Sequence, residues 1–509
     1  MLFVTFLAFV SVFHPYPYDN VVTRWALIRQ ISQEGTLRID PYLGLTSDLA
    51  ASDGHIYCDK AVLLSLAGAA IHKPLMLMGL RSSPDAYPVG GMGRYIVERI
   101  LVGGSLLLLL ILLRRHLAGL GVRPAMPMLA VGLGSILLPY STLLYGHVTA
   151  AMFLFASFCL AKRRRYVLAD LTGALAAAVE FPALLVYVIL LLYRRRDYWN
   201  SARILRVPLM LALALLPQMV HNLIAFGSPA TMGYTLETAE AFSGMGRGFF
   251  GFTFPKSRHL YLLLLSPERG LLFYMPWIAL GFAGFFRGRG ALKTLRNDPL
   301  PTCIAAYILL FAAYYMPTGG WAYGPRHLIP VVPFAAVGLG RFVRRSPRRA
   351  FVAWALLFPA ILQALLGSFG EVHLPVHPVE QPVPIPQLSI SLSMLLEGHH
   401  AYWLLGSAGA AIVTLAAVLL WLRLGLSVTS PSWWALGALL AWGSLTALAP
   451  VGWGGKVDYY RGVLAEHRRE YSLAADYYLK AMEDPAAPRD VIGSRLESCR
   501  AAAERTPRP

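Results

Sequence analysis

The chain has 509 residues, of which 56% are hydrophobic and only 14% are charged. A soluble domain carries about 25% charged residues, so an ordinary soluble enzyme is excluded; repeated apolar runs near the ~20-residue length of a spanning helix indicate a polytopic membrane protein. The net charge of +18 does not point to nucleic acid. The basic residues fall in short clusters between apolar runs, at 114–115, 162–165, 194–196, 287–296 and 341–349, which is the pattern of the positive-inside rule.

Taking those clusters as cytoplasmic orders the chain. Residues 1–13 lack a basic n-region and a small-residue cleavage site, so 1–14 reads as an uncleaved first helix running outward. The following stretch holds Asp19, Arg24, Arg29, Glu34, Arg38, Asp40, Asp48, Asp53, Asp59 and Lys60. Each such group costs roughly 2.5–3.5 kcal/mol in hydrocarbon, so this stretch forms a soluble face. Within it, Val22, Trp25, Ile28 and Ile31 suit one face of an amphipathic surface helix over 21–31. Residues 61–80 are apolar but broken by His72, Lys73 and Pro74. They read as a helix lying on or re-entering the membrane, with a full span as the alternative.

Spans follow near 97–113, 124–141 and 146–161. Residues 166–193 lie between two basic clusters, so they cross twice or not at all; Pro182 bends them into two short helices with Glu180 at the bend. Further spans fall near 204–226, 271–286, 302–316, 328–340, 351–368, 402–423 and 432–449. The fold expected is an all-α polytopic bundle of about 13 transmembrane helices. Residues 1–450 form this domain, with external loops 14–96, 227–270, 317–327 and 370–400. Residues 451–509 form an external tail whose 459–470 and 471–482 read as one tetratricopeptide-like hairpin. Such units are stable when about three stack, so this one is expected to pack on the membrane domain or a partner.

The motifs lie in the external loops. Asp53-Gly-His-Ile-Tyr57-Cys-Asp59-Lys60 opens an apolar run; Gly319-Gly-Trp321-Ala-Tyr323-Gly-Pro-Arg326-His327 leads into Pro330 and Pro333; Ser266-Pro-Glu-Arg269-Gly precedes Tyr274 and Pro276; and Asn222 is followed by Gly227-Ser-Pro and Gly233-Tyr234. In this order the segments resemble those of bacterial GT-C glycosyltransferases, polytopic enzymes related to protein O-mannosyltransferases and lipid A aminoarabinose transferases. The resemblance covers about residues 15–335 and implies an inverting transfer of a sugar from a polyprenyl-phosphate donor on the external face. It also implies a bacterial inner membrane, with the donor as substrate, no firm cofactor, and divalent-metal dependence left open. Membrane lipids and an acceptor that is protein, lipid or glycan are the expected partners.

The chemistry fits independently. An acceptor hydroxyl needs a general base, and the departing lipid phosphate needs cations or N–H donors. Asp19, just after the first helix, is where the resemblance places the catalytic acid, although the surrounding Tyr18-Asp19-Asn20 lacks the commoner acidic pair. Asp there also suits a helix N-cap. Asp59 is the second catalytic candidate. Lys60, Arg326, His327, Arg269 and Tyr274 are candidate phosphate or substrate ligands, Arg326 for its forked donors. Asp40, Asp53, Tyr57, Glu180, Tyr234, Trp321 and Tyr323 are weaker candidates. His147 reads as structural. The four cysteines, Cys58, Cys159, Cys303 and Cys499, and the loop histidines His373, His377, His399 and His400 show no metal spacing. A disulfide between Cys58 and Cys499, both external in this scheme, has no support. A transporter or flippase of a lipid-linked saccharide and a noncatalytic assembly partner remain as alternatives; the first predicts an internal duplication, and none is seen.

Overall fold

The computed structural model describes residues 12–14, 19–80, 91–194, 205–237, 244–266, 269–287, 290–320, 322–369, 402–403, 456–467, 469–483 and 489–505. The chain is mostly helical. Short β1 (Val12–Phe13) is followed by α1 (Asp19–Arg29), the hairpin β2 (Ala50–Ser52) and β3 (His55–Tyr57), α2 (Leu63–Leu77), and the long α3 (Met92–Gly119). Then come α4 (Ala125–Gly132), α5 (Gly146–Lys162), α6 (Tyr166–Val179), α7 (Ala183–Tyr193) and α8 (Arg206–Phe226). The second half adds α9 (Ser257–Leu264), α10 (Trp277–Phe286), α11 (Pro299–Ala312), α12 (Val332–Val343), α13 (Pro347–Phe369) and strand β4 (Tyr402–Trp403). The tail is α14 (Lys456–His467), α15 (Tyr471–Met482) and α16 (Arg489–Arg505).

Among the described residues four helices are long and apolar enough to cross a membrane: Met92–Gly119, Arg206–Phe226, Arg326–Val343 and Pro347–Ser368. Six shorter apolar helices accompany them. The bend expected at Pro182 is present: α6 stops at Val179, Glu180 is extended, and α7 starts after Pro182. With 14 and 11 residues, these helices are about 21 and 16 Å long at 1.5 Å per residue. A bilayer core is ~30 Å thick, so each of these helices is shorter than a full span.

The basic helix ends gather at one end of the bundle. Asp170 binds Arg194 at 2.8 Å and Arg206 at 2.7 Å, tying α6, α7 and α8 together. Tyr193 Oη lies 2.8 Å from Thr302 Oγ1 of α11, and Asp298, before α11, pairs with Arg341 at the end of α12. At this end buried carboxylates are paired with arginine, as burial of a charge requires.

Several expectations are corrected. Residues 12–13 are not helical: β1 pairs antiparallel with β4, Val12 opposite Trp403. The expected spans over 1–14 and 402–423 are therefore not helical where they are described; the rest of both, and 432–449, lie outside the described residues. The 124–141 span is broken after Gly132, with a separate turn at Leu137–Tyr140. The amphipathic helix over 21–31 is not a surface helix. α1 is buried on every side from Val21 to Arg29, because α2 packs on it and Arg24 reaches the buried Ala61 carbonyl. It ends in a π-turn, Gln30–Glu34, closed by Gly35 at φ 67. α2 buries one stripe only, Leu64, Ser65, Gly68, Ala69 and His72. All four cysteines are unbonded. In the tail, α14 and α15 pack on each other with Ala474, Tyr478 and Ala481 buried, and α16 adds a third helix against α15.

Candidate active site

Three segments meet at the end of the bundle opposite the basic clusters. The first is the β2–β3 hairpin and its exit. Asp53 (φ 49) and Gly54 (φ 77) form its two-residue turn, the backbone that an Asp-Gly pair favours. The hairpin delivers Asp59 and Lys60, and Arg24 of α1 holds the exit by donating to the Ala61 carbonyl at 2.9 Å. The buried Lys60 ammonium pairs with Asp59, lies 3.2 Å from Asp48 and 3.8 Å from Glu237, and sits over the Tyr234 ring at 5.1 Å. Gly233 packs directly on this exit: a Cβ there would come 2.8 Å from the Asp59 Cα. Gly233→Ala is therefore expected to displace Asp59 and Lys60 and lower the affinity for an anionic ligand at least tenfold, read by equilibrium binding. Unchanged affinity would show that the backbone yields freely.

The second segment is the turn between α6 and α7. Glu180 Oε1 lies 3.7 Å from Arg24 and 3.4 Å from His147 at the start of α5. His147 stacks on Tyr145 with ring centroids 5.8 Å apart. The third is the loop entering α12, where Gly319 (φ 78), Gly320 (φ 68) and Gly324 (φ 61) take left-handed backbone, the region that glycine reaches without strain. The Arg326 guanidinium lies over the Tyr145 ring at 5.0 Å. His327 stacks on Phe311 at 4.5 Å and meets His147 edge-on at 5.8 Å.

Between these segments lies a cavity of about 760 Å³. Its polar end is formed by Arg24, Asp48, Lys60, His147, Glu180, Glu237 and Arg326; its walls include Phe181, Leu184, Val188, Tyr307, Phe311 and Tyr314. Leu184 and Val188 of α7 are also 39% and 40% exposed. The apolar wall thus leaves part of α7 uncovered by the rest of the chain.

One lysine faces three carboxylates, so the cluster cannot hold every acid ionised. Burial, with repulsion from Asp59 and Asp19 and against the pull of Lys60, raises Asp48 to about 7. Burial, again against Lys60, raises Glu237 to about 9. Burial alone would lower Lys60, but Asp48 and Asp59 outweigh it and hold the ammonium above its ordinary range. At neutral pH Glu237 is thus protonated while Asp48 stands near its midpoint.

The structure brings together Lys60, Asp59, Tyr234, Glu180, Arg326 and His327. It places the others elsewhere. Asp19 lies in the first turn of α1 outside the cavity lining, its Oδ1 accepting the Ser47 N–H at 2.7 Å. Arg269 is wholly buried and donates to the carbonyls of Ala322 and, at 3.2 Å, Gly320. Tyr274 and Tyr323 pack edge-to-face behind that loop at 5.1 Å, and Tyr323 Oη donates to the Gln363 carbonyl at 2.7 Å. Asp40 accepts from the Ile56 N–H at 2.7 Å and lies 2.9 Å from His55. Asp53 is exposed at the hairpin turn, and Tyr57 meets Phe226 at 5.7 Å. Trp321 and the four loop histidines lie outside the described residues. Asp48, Glu237, Arg24 and His147 are cavity residues that sequence reasoning did not select. Asp48 and Arg24 appeared only among the loop charges, His147 read as structural, and Glu237 stands in no motif. Among the described residues no group of three or more His, Cys, Asp or Glu is arranged to hold a metal ion.

No family model matches the chain, and no curated protein matches it. Among solved structures it is similar to ArnT from Cupriavidus metallidurans bound to undecaprenyl phosphate, with 13% identity, 92% of this chain and 78% of that one covered, and a TM-score of 0.45. It is also similar to the same protein in the apo state, with 14% identity, the same coverage and a TM-score of 0.42.

Proposed function

We propose that the protein is a membrane glycosyltransferase that moves a sugar from a polyprenyl-phosphate donor to an acceptor at the external membrane face. The observation that carries this reading is the cavity. Its apolar wall reaches the exposed flank of α7, where an isoprenoid chain enters from the bilayer, and its polar end holds Arg24, Lys60 and Arg326. A buried anion-binding site joined to a lipid-facing wall suits a lipid phosphate and not a free nucleotide sugar, which needs an open aqueous approach. Lys60 supplies a point charge and Arg326 a forked donor set; both stabilise the phosphate as its charge develops. The cavity carboxylates supply a base for the acceptor hydroxyl.

The test is transfer of labelled sugar from polyprenyl-phosphate donors by purified protein in lipid nanodiscs, with equilibrium binding of the polyprenyl phosphate measured in parallel. Saturable binding with transfer is expected. Neither binding nor transfer across a set of hexose and pentose donors would overturn the reading.

A further inference from the structure

We infer that Asp48 is the general base of this site and that Asp19 is a positioning residue that holds the turn carrying it. This rests on the glycosyltransferase reading and names the residue that activates the acceptor. The geometry carries it. Asp48 lines the cavity beside Lys60, whereas Asp19 does not line it. Asp19 is instead bonded to the Asp48 turn at two points. Its Oδ1 accepts the Ser47 N–H at 2.7 Å, and its carbonyl accepts the Thr46 hydroxyl at 3.1 Å. Thr46 Oγ1 in turn accepts the Asp48 N–H at 3.0 Å. The start of α1 thus fixes the backbone on both sides of Ser47 and aims Asp48 at the cavity.

In the transfer step the acceptor hydroxyl gives its proton to the Asp48 carboxylate as its oxygen bonds the anomeric carbon. The bond from that carbon to the phosphate oxygen breaks. Its electron pair leaves on the lipid phosphate, whose charge meets Lys60 and Arg326. The proton, the pair and both bonds balance without a further reactant. The groups facing Asp48 are Lys60 and Asp59 after β3, Asp19 on α1, Tyr145 before α5, Arg326 before α12, and Glu237 after α8. Buried among them, Asp48 titrates at about 7, where a base is half ionised and still a competent proton acceptor. Glu237, raised to about 9, is protonated at that pH and does not compete for the role.

The experiment compares wild type with Asp48→Asn, Asp19→Asn and Asp19→Ala in nanodiscs, reading polyprenyl-phosphate binding, kcat and the pH profile of kcat/KM. Positioned bases contribute about 10²–10⁴-fold, so Asp48→Asn is expected to lose at least a hundredfold in kcat. It should bind polyprenyl phosphate as tightly as wild type or tighter, because a negative charge beside Lys60 is gone. A misfolded or merely structural variant loses binding instead, and that result overturns the assignment. Asp19→Asn keeps an oxygen to accept the Ser47 N–H and stays within tenfold of wild type; Asp19→Ala removes it and falls further. Severe loss in Asp19→Asn with full activity in Asp48→Asn would reverse the two roles. The wild-type kcat/KM should fall as pH drops through about 7, the pH at which Asp48 takes up its proton, and a flat profile there overturns the proposal without any variant. Wild type that neither binds the lipid phosphate nor transfers sugar refutes the enzyme reading itself, a result distinct from any of these.

Discussion

Lys60→Ala is expected to weaken binding of polyprenyl phosphate by about a hundredfold or more and to reduce transfer below detection. Lys60 is the cation at the centre of the cluster, paired with Asp48, Asp59 and Glu237. Truncating one partner of a buried, hydrogen-bonded charge pair costs about 2–5 kcal/mol, or 30-fold to several thousandfold in affinity. The ligand loses its ammonium, the buried cation that its phosphate would meet. The fold suffers less than a stranded-charge argument suggests. Asp48 already titrates at about 7 and Glu237 at about 9, so without Lys60 both rise further and stay neutral at pH 7 instead of standing charged in a buried site. Lys60→Arg keeps the charge but has to fit a guanidinium between carboxylates arranged around a compact ammonium, and recovers only part of the affinity. Equilibrium binding in nanodiscs checks this, with thermal unfolding alongside. Unchanged binding by Lys60→Ala would remove the cluster from the donor site.

Arg269→Ala and Arg326→Ala are expected to fail in opposite ways. Both arginines stand in recognisable motifs, and sequence alone gives both a phosphate-binding role. Arg269 is wholly buried and caps the carbonyls of Gly320 and Ala322. Its loss strands two buried acceptors, each costing about 1–3 kcal/mol, and opens a void behind the loop. Arg269→Ala should therefore lower the unfolding midpoint by several degrees and lose activity through disorder of residues 319–326. Arg326 lines the cavity over Tyr145 and makes no ion pair among the described residues. Arg326→Ala should leave the midpoint within about two degrees while weakening lipid-phosphate binding at least tenfold, as loss of a charged hydrogen-bond partner does. Measuring unfolding and binding on both variants separates the two. A stable Arg269→Ala with weakened binding would restore the ligand role to Arg269.

The sequence by itself determined the class of molecule, a mostly helical membrane protein, and the bend at Pro182. These follow from local rules: apolar runs have the length of a span, and proline breaks a helical ladder. Lys60, Arg326 and Tyr234 were legible because each stands in a short motif beside glycine or an acidic neighbour. The tertiary structure decided which charges face one another. Asp48, Glu180 and Glu237 are far apart in sequence, and only the fold sets Asp48 and Glu237 against Lys60 and Glu180 against Arg24. No periodicity encodes that. Asp19 and Arg269 show the converse. Their motif positions mark them as chemical, yet the backbone around each takes up the side chain, a Ser47 N–H for one and two carbonyls for the other. Residue type and spacing place a charge near a site; the nearest unsatisfied hydrogen-bonding group, known only after packing, decides whether that charge is left for a ligand.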